Sequence, residues 1–201
     1  MKVTLIGHGR LGKLISNYLK RDFNLSILDH NKSPEEVKKI SESNVVILAV
    51  PISNMPEILN EIKDFLSKDT LVIDTCSVKE WPIEQMKNIL PEYINILGSH
   101  PMFGPDSVKD TLFGTKIVLC PERISKDGLN EIINYLQNHG IKVIQTTASE
   151  HDQQMSSSLL LSHFIGKGLL EFGAQEQEID TKGYRRLLRI LETVQNDSKT
   201  A

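Results

Sequence analysis

Seven short apolar runs, each rich in valine, isoleucine and leucine, alternate with amphipathic stretches through the first part of the chain. Near-continuous apolar runs of this length are typical of parallel strands that are covered on both faces. After the first run, Leu11, Ile15 and Leu19 recur at every fourth position, as they would on one face of a helix. This alternation predicts βαβ units with right-handed crossovers, and therefore a doubly wound parallel sheet. The predicted strands are residues 3–6, 25–28, 45–49, 71–74, 94–97, 116–119 and 142–144.

Two of the predicted helices carry start signals. Residues 33–36 (Ser-Pro-Glu-Glu) supply an N-cap serine, a proline at the first helical position and a capping-box glutamate. Ser53 is a candidate N-cap for another helix, which we expect to run to about residue 65.

The pattern changes near Ala148, after which no strand signal follows. We predict a domain of residues 1–148 and an all-helical segment of residues 149–201, with helices near residues 150–172 and 182–194. The first of these helices is apolar around much of its circumference, and a helix of that kind is buried on more than one side. We therefore expect the segment to form a two-fold homodimer, with His163 close to the interface.

The composition argues against several classes of protein. The formal net charge is −3, so no basic surface indicates a nucleic-acid partner. No window approaches the ~18 consecutive apolar residues that a membrane span needs, and residues 1–7 are typical of a strand and not of a signal peptide. Cys76 and Cys120 are too few for a disulfide framework and are expected to be free thiols. We expect a cytoplasmic protein with no membrane contact.

A glycine-rich loop follows the first predicted strand. Residues 7–12 (Gly-His-Gly-Arg-Leu-Gly) match the pattern G-x-G-x-x-G between a strand and a helix. Gly7 permits a tight turn, Gly9 lets the backbone approach a pyrophosphate, and Gly12 allows the helix to pack closely on the strand. The helix N-terminus then faces the phosphates. The loop predicts a Rossmann-type fold that binds a nicotinamide dinucleotide, and a glycine-rich turn without a ligand is the alternative.

Asp29, at the end of the second predicted strand, bears on the choice of cofactor. It lies 22 residues after Gly7, where a carboxylate accepts hydrogen bonds from the adenosine ribose. Because a carboxylate repels the 2′-phosphate of NADP, Asp29 favours NAD, although Lys32 could offset part of that repulsion. Arg10 either contacts the pyrophosphate or is solvated. The expected dinucleotide contacts are Gly7, Gly9, Arg10, Leu11, Gly12, Asp29, Val50, Pro51 and Ser77.

Two polar clusters follow later strands, at the edge where doubly wound sheets bind ligands. In residues 74–79 (Asp-Thr-Cys-Ser-Val-Lys), Ser77 is either a helix cap or a site residue, and Lys79 is either a surface charge or a functional cation. In residues 98–105 (Gly-Ser-His-Pro-Met-Phe-Gly-Pro), the glycines and prolines predict an irregular loop around His100. A histidine in a rigid loop at this edge is a candidate general base, with a structural role as the alternative.

A third cluster lies in the helical segment. Residues 150–152 (Glu-His-Asp) are followed by His163, twelve residues after His151. That separation places the two histidines ~120° apart around a helix, so they do not form a tight pair. Together with His100 they lack any pair of metal ligands at i,i+3 or i,i+4, and we predict no metal site.

The glycine loop and the motifs DTCSVK, GSHPMFGP, EHD and SHF occur in the order and spacing seen in one family. Over about residues 3–195 the chain resembles the prephenate and arogenate dehydrogenases. The resemblance implies an NAD(P)-dependent oxidative decarboxylation of prephenate to 4-hydroxyphenylpyruvate, or of arogenate to tyrosine, in tyrosine biosynthesis. In that reaction oxidation of a ring alcohol gives a ketone, and loss of CO₂ then makes the ring aromatic.

The resemblance also implies roles for single residues. His100 takes the hydroxyl proton and must therefore be neutral in the working enzyme. Ser77 binds the substrate by hydrogen-bonding the same region, and it orients His100 or the nicotinamide. His163 holds the substrate from the helical segment. For the carboxylate-binding arginine, Arg189 fits the spacing of one subfamily and Arg185 that of another, and a basic solvated face is the alternative.

The sequence leaves alternatives for the substrate, for the extent of the protein and for its function. Glu150 or Asp152 is a candidate partner for the ammonium group that distinguishes arogenate from prephenate. Family members continue for several more helices, so the polar ending, residues 195–201, indicates either a minimal form or a piece of a longer protein. The other functions to consider are a different Rossmann-fold reductase, such as a 3-hydroxyacid dehydrogenase or a deazaflavin-dependent NADP reductase, and a non-catalytic dinucleotide sensor.

Overall fold

The structure is a computed structural model that describes residues 1–29, 33–105, 107, 108 and 111–197. Of residues 34, 193 and 195–197 it describes the backbone alone. The chain divides into two compact units, Met1–His151 and Asp152–Ala201. The division lies just past the predicted boundary at residue 148.

A seven-stranded sheet forms the centre of the first unit, and all seven predicted strands are present in it. The strand order is β2-β1-β3-β4-β5-β6-β7, which confirms the doubly wound fold class. The strands are β1 (Lys2–Ile6), β2 (Asn24–Leu28), β3 (Val45–Leu48), β4 (Leu71–Asp74), β5 (Asn95–Pro101), β6 (Lys116–Arg123) and β7 (Lys142–Gln145).

The sheet departs from the predicted all-parallel arrangement at one pairing. Strands β1 to β5 pair in parallel and so do β6 and β7, but β5 and β6 are antiparallel. A parallel connection needs a crossover of a dozen or more residues, usually a helix. The described part of residues 102–115 contains no helix, so the chain returns directly and the last two strands run in the opposite direction.

Five helices connect the strands of this unit. Ser33 accepts a hydrogen bond from the amide of Glu36, whose carboxylate accepts one from the amide of Ser33, so the predicted capping box is confirmed. The predicted cap at Ser53 is wrong, because its hydroxyl donates to the Asn54 side chain inside a 3₁₀ turn. The helices are α1 (Arg10–Leu19), α2 (Pro34–Lys38), α3 (Met55–Ile62), α4 (Glu80–Ile89) and α5 (Lys126–Asn138).

Both faces of the sheet are covered by apolar side chains. Successive residues of a strand point to opposite faces, so Ile96 joins one buried cluster and Leu97 the other. The first cluster includes Met55 and Leu59 of α3, and Leu129 of α5 packs against the second. Burial on both faces is the reason that the strand sequences are near-continuous apolar runs.

Two helices make up most of the second unit. Helix α6 (Ala148–Glu171) begins in the first unit, and α7 (Lys182–Asp197) follows it. A Cβ atom on Gly166 would lie 2.4 Å from Cγ2 of Val194, so α6 and α7 approach too closely there for any larger residue. No helix in the described residues is long and apolar enough to cross a membrane. The two cysteines, Cys76 and Cys120, are free thiols, as predicted.

Candidate functional site

The glycine loop lies between β1 and α1 and is packed very tightly. Gly7 has a φ of +98°, and a Cβ atom on it would lie 2.3 Å from the carbonyl oxygen of Ala49. A Cβ atom on Gly12 would lie 2.1 Å from the carbonyl oxygen of Gly7. Only glycine fits at these two positions, because loop, helix and β3 meet there backbone to backbone.

The middle glycine has different surroundings. A Cβ atom on Gly9 would meet no other heavy atom within 4 Å. Gly9 is the N-cap of α1, where no side chain caps the helix and the first turn holds no acidic residue. The space before this helix end suits an anionic group, which the helix dipole and the backbone N–H groups favour. The loop therefore fits the pyrophosphate of a dinucleotide.

The other predicted dinucleotide contacts follow neighbouring strands at the same edge. Asp29 comes directly after β2 and is exposed, while Val50 and Pro51 come shortly after β3. Because β2 and β3 flank β1, these positions lie on either side of the glycine loop. Arg10 is exposed, and Leu11 is half-buried in the first turn of α1. Lys32 lies outside the described residues.

A buried ion pair lies at the end of β4. Lys79 is completely buried, so it is not a surface charge, and its ammonium group contacts the carboxylate of Asp74. The same ammonium donates to the carbonyl oxygen of Ser99 at 2.6 Å, and the Ser99 hydroxyl donates to the carbonyl oxygen of Asp74 at 2.6 Å. These bonds tie the end of β4 to the residue of β5 that precedes His100.

Burial also changes the acidity of this cluster. It raises the pKa of Asp74, an effect that the nearby ammonium of Lys79 opposes. Burial, together with the negative charge of Asp74, raises the pKa of the Cys76 thiol to about 12. Cys76 is therefore protonated near neutral pH and is a poor nucleophile.

Ser77 is exposed in the segment between β4 and α4. The N-cap of α4 is Lys79, and no side chain makes a capping hydrogen bond there. Ser77 is therefore not a helix cap, which leaves the interpretation of Ser77 as a site residue. Its position after β4 leaves the hydroxyl at the edge that also carries the glycine loop.

His100 lies in β5 and not in an irregular loop. The strand continues to Pro101 because β6 pairs with it, with His100 opposite Val118. His100 is buried, and its Nδ1 atom is hydrogen-bonded to Nε2 of His151 at 2.9 Å. The two rings are nearly perpendicular, with an interplanar angle of 70°.

The sequence predicted His100 as a site residue but did not predict its partner. His151 lies in the first turn of α6, directly after the last strand of the sheet has ended. The motif of residues 150–152 marks the position, but a separation of 51 residues gives no periodic signal that would join the two rings. The fold alone brings them together.

Glu150, next to His151, stabilises the start of α6. Its Oε2 atom accepts hydrogen bonds from the hydroxyl of Thr146 at 2.8 Å and from the amide of Thr147 at 3.3 Å. These bonds lower the pKa of Glu150 and fix the start of α6. Glu150 is thus engaged at the helix start, which makes it a poor candidate for a substrate ammonium.

The second unit contains a hollow of about 290 Å³, lined by Ser162, His163, Arg189, Ile190 and Val194. It brings together two of the predicted substrate contacts, His163 and Arg189. Arg185, another predicted substrate contact, donates from Nε to the carboxylate of Asp180 at 2.6 Å. A guanidinium and an imidazole beside apolar side chains suit an organic molecule that carries a carboxylate. The described residues contain no group of three or more potential ligands that could hold a metal ion.

Comparisons with known proteins agree with this geometry. The family profile described as "Prephenate dehydrogenase, nucleotide-binding domain" matches residues 16–145. The chain is 27% identical to arogenate dehydrogenase 2, chloroplastic, of Arabidopsis thaliana, over 98% of this chain and 61% of that protein. It is 32% identical to the T-protein of Haemophilus influenzae, over 81% of this chain and 42% of that protein.

A solved structure shows the same fold. The prephenate dehydrogenase from A. aeolicus, in complex with hydroxyphenyl propionate and NAD+, has a TM-score of 0.72. It is 23% identical to the chain, and the match covers 95% of this chain and 78% of that one. The chain spans 61% and 42% of the lengths of the two curated relatives named above. Since the profile of the nucleotide-binding domain matches well over half of the 201 residues, the chain belongs to the prephenate dehydrogenase family.

Proposed function

We propose that the chain catalyses the oxidative decarboxylation of prephenate, or of arogenate, with NAD or NADP as oxidant. The observation that carries the proposal is the buried, strand-held His100 at the edge of a nucleotide-binding sheet. A dinucleotide sensor would not need a histidine there. Family membership favours this reaction over that of a 3-hydroxyacid dehydrogenase or a deazaflavin-dependent reductase.

The glycine loop and its neighbours would hold the dinucleotide. Gly9 and the N-terminus of α1 would bind the pyrophosphate, and Asp29 would accept hydrogen bonds from the adenosine ribose. Val50, Pro51 and Ser77 would line the remaining part of the site. When bound, the nicotinamide supplies the hydride acceptor that the oxidation requires.

His100 would act as the general base. The substrate hydroxyl loses its proton as the ring alcohol is oxidised, and a neutral imidazole accepts that proton. Ser77 would hydrogen-bond the hydroxyl region and orient the reacting groups. In the second unit, His163 and Arg189 would bind the substrate side chain and its carboxylate. Arg185 is the weaker candidate for that contact, because the hollow is lined by Arg189 and not by Arg185.

The second unit supports a homodimer as the assembly. Several large apolar side chains of this unit are exposed in the single chain, among them Phe164 and Phe172 at 74% and 81%. Soluble monomers rarely expose so many together, and a two-fold pairing of α6 and α7 would cover them. The other exposed apolar residues of the unit include Leu160, Leu161, Leu170, Ile179 and Leu187. The free thiols fit a reducing compartment, and we place the enzyme in the cytoplasm.

Light scattering at micromolar concentration tests the assembly, because a dimer has twice the mass of the 22.7 kDa chain. Phe164→Asp should shift the mass toward that of a monomer. Phe113→Asp, which changes an exposed phenylalanine of the first unit, should not. A wild-type monomer with full activity would show that no dimer is needed.

Steady-state assays test the reaction. Prephenate and arogenate are each supplied with NAD and with NADP, and the product and reduced cofactor are measured. His100→Asn should lower kcat by ~10²-fold or more, as expected for loss of a general base, with little change in cofactor affinity. Near-normal turnover in this variant would remove His100 from the mechanism.

A further inference from the structure

The hydrogen bond between His100 and His151 restricts where protons can reside on both rings. Only one proton fits between Nδ1 of His100 and Nε2 of His151, which are 2.9 Å apart. A neutral imidazole carries its proton on one nitrogen and accepts on the other. The two rings therefore have two neutral arrangements, with the shared proton on His100 or on His151.

The proposed function selects one of these arrangements. If Nε2 of His100 accepts the substrate proton, Nδ1 must carry the proton of the neutral ring and donate it to His151. Nε2 of His151 must then be the acceptor, and its own proton must lie on Nδ1. In the opposite arrangement Nε2 of His100 already bears a proton and cannot act as a base.

We infer that His151 is a positioning residue, which fixes the reactive tautomer of His100 and stabilises the charged ring during the reaction. This inference rests on the proposed function. When the substrate O–H bond breaks, its proton forms a bond with Nε2 of His100. The proton on Nδ1 stays on His100 in the hydrogen bond to the neutral ring of His151, and this bond stabilises the imidazolium.

Because His100 is buried, its charged form needs a hydrogen-bond partner such as His151. His100 and His151 are only 7% and 3% exposed, so water cannot solvate the imidazolium that forms. A neutral imidazole acceptor at 2.9 Å replaces that solvation. Rotation of the His100 ring would move Nδ1 away from His151 and break this bond. His151 thus holds the tautomer and orientation of His100 as a carboxylate does in a serine hydrolase triad, but as a neutral acceptor without a negative charge.

Nitrogen-15 spectra of the free chain at pH 8 test the tautomers without any turnover. His100→Asn and His151→Gln assign the two rings by the signals that they remove or shift. We expect both histidines in the Nδ1–H form. A His100 ring that is protonated on Nε2 would overturn the inference.

Two substitutions test the role in catalysis. His151→Leu removes the acceptor and should lower kcat by about 10- to 100-fold, with substrate KM and NAD affinity unchanged. His151→Gln retains an acceptor oxygen and should recover most of that loss. His139→Leu, at the end of α5, is the control and should have wild-type kcat.

An unchanged kcat in His151→Leu would overturn the inference, as would equal losses in His151→Leu and His151→Gln with both variants folded. The proposed function fails separately, if the wild-type chain turns over neither prephenate nor arogenate. The tautomers measured in the free chain still decide the arrangement of the histidine pair in that case.

Discussion

The ammonium group of Lys79 and the carboxylate of Asp74 form an ion pair from which water is completely excluded. Removing two charges from water is costly, and their mutual attraction repays the cost only when further hydrogen bonds complete the site. Here the Ser99 carbonyl and the Cys76 amide supply two such bonds, while the structure shows no hydrogen-bond partner among the described residues for the buried Oδ2 atom of Asp74. The pair therefore holds the end of β4 and the neighbouring part of β5, next to His100, in a fixed position.

Replacing one residue of this pair should destabilise the fold far more than replacing both. Lys79→Met or Asp74→Leu leaves one unpaired buried charge, and we expect each to reduce the free energy of unfolding by ~3–5 kcal/mol. The double variant buries no charge and should be more stable than either single variant. Urea unfolding of the three variants measures this. Additive losses in the double variant would contradict the coupling.

Two neighbouring glycines should respond differently to alanine. Gly9→Ala finds open space at an ordinary φ of −67°, so it should fold normally but bind the dinucleotide at least about tenfold more weakly. Gly12→Ala would collide with the Gly7 carbonyl and should lower the melting temperature. Thermal unfolding and NAD titration separate the two effects. Gly168→Ala, also in open space, is the control for binding. Normal NAD binding by Gly9→Ala would place the pyrophosphate elsewhere.

Asp29 should set the cofactor preference. Asp29→Ala removes the carboxylate that would bind the ribose and repel a 2′-phosphate, so NAD affinity should fall and NADP affinity should rise. Titration of both cofactors measures the ratio of the two dissociation constants. The ratio should not change in Asp64→Ala, which alters an acidic residue after α3. An unchanged ratio in Asp29→Ala would reject the assignment.

The two arginines of α7 should separate into a binding and a structural role. Arg189→Ala should raise the substrate KM and spare cofactor binding, because Arg189 lines the hollow with His163. Arg185→Ala should leave KM nearly unchanged, since this side chain is paired with Asp180. Arg189→Lys, which keeps the charge but loses the forked geometry, should recover KM only in part. The reverse result, with KM raised by Arg185→Ala alone, would make Arg185 the carboxylate-binding arginine.

The stability of the fold should depend on pH through Glu150, which holds the start of α6. Hydrogen bonds from Thr146 and Thr147 lower its pKa below the usual 4.5 in the folded chain. The carboxylate therefore stabilises the fold above the unfolded pKa, and this contribution is lost as pH falls through the folded pKa. Glu150→Gln should melt below the wild type at pH 7, and the two curves should converge at acidic pH. Glu131→Gln, on the exposed face of α5, is the comparison. A gap that stays constant with pH would exclude the carboxylate as its cause.

The sequence predicted those features that local chemistry determines. The apolar runs marked all seven strands, and Ser33 with Glu36 marked a real capping box. Ser53 carries the same cap signal but lies in a 3₁₀ turn before α3, because Pro56 already fits the first turn of that helix and Asn54 takes the cap position. A single cap residue without its partner glutamate was a weaker signal.

The features that the sequence did not predict depend on contacts between distant residues. The direction of β6 follows from the path of the preceding connection, which no residue pattern encodes. The burial of Lys79 had one local hint, a cation placed against the helix dipole. Its partner Asp74 is only five residues away, but its bond to Ser99 depends on the pairing of β4 with β5. The contact of His100 with His151 likewise needs β5 and the start of α6 to be neighbours.

The reversed pairing at β5 has a consequence for motion. β5 has no free edge at Ile96, Leu97 and Gly98, where both β4 and β6 pair with it, whereas His100, two residues further on, pairs with β6 alone. Local opening of that three-residue stretch would have to break two ladders at once, so its amides should be among the slowest to exchange with deuterium. We expect this anchored stretch to hold the imidazole of His100 in place during the proposed reaction. Rearrangements that admit the proposed substrate and release its product should then occur in segments other than β5.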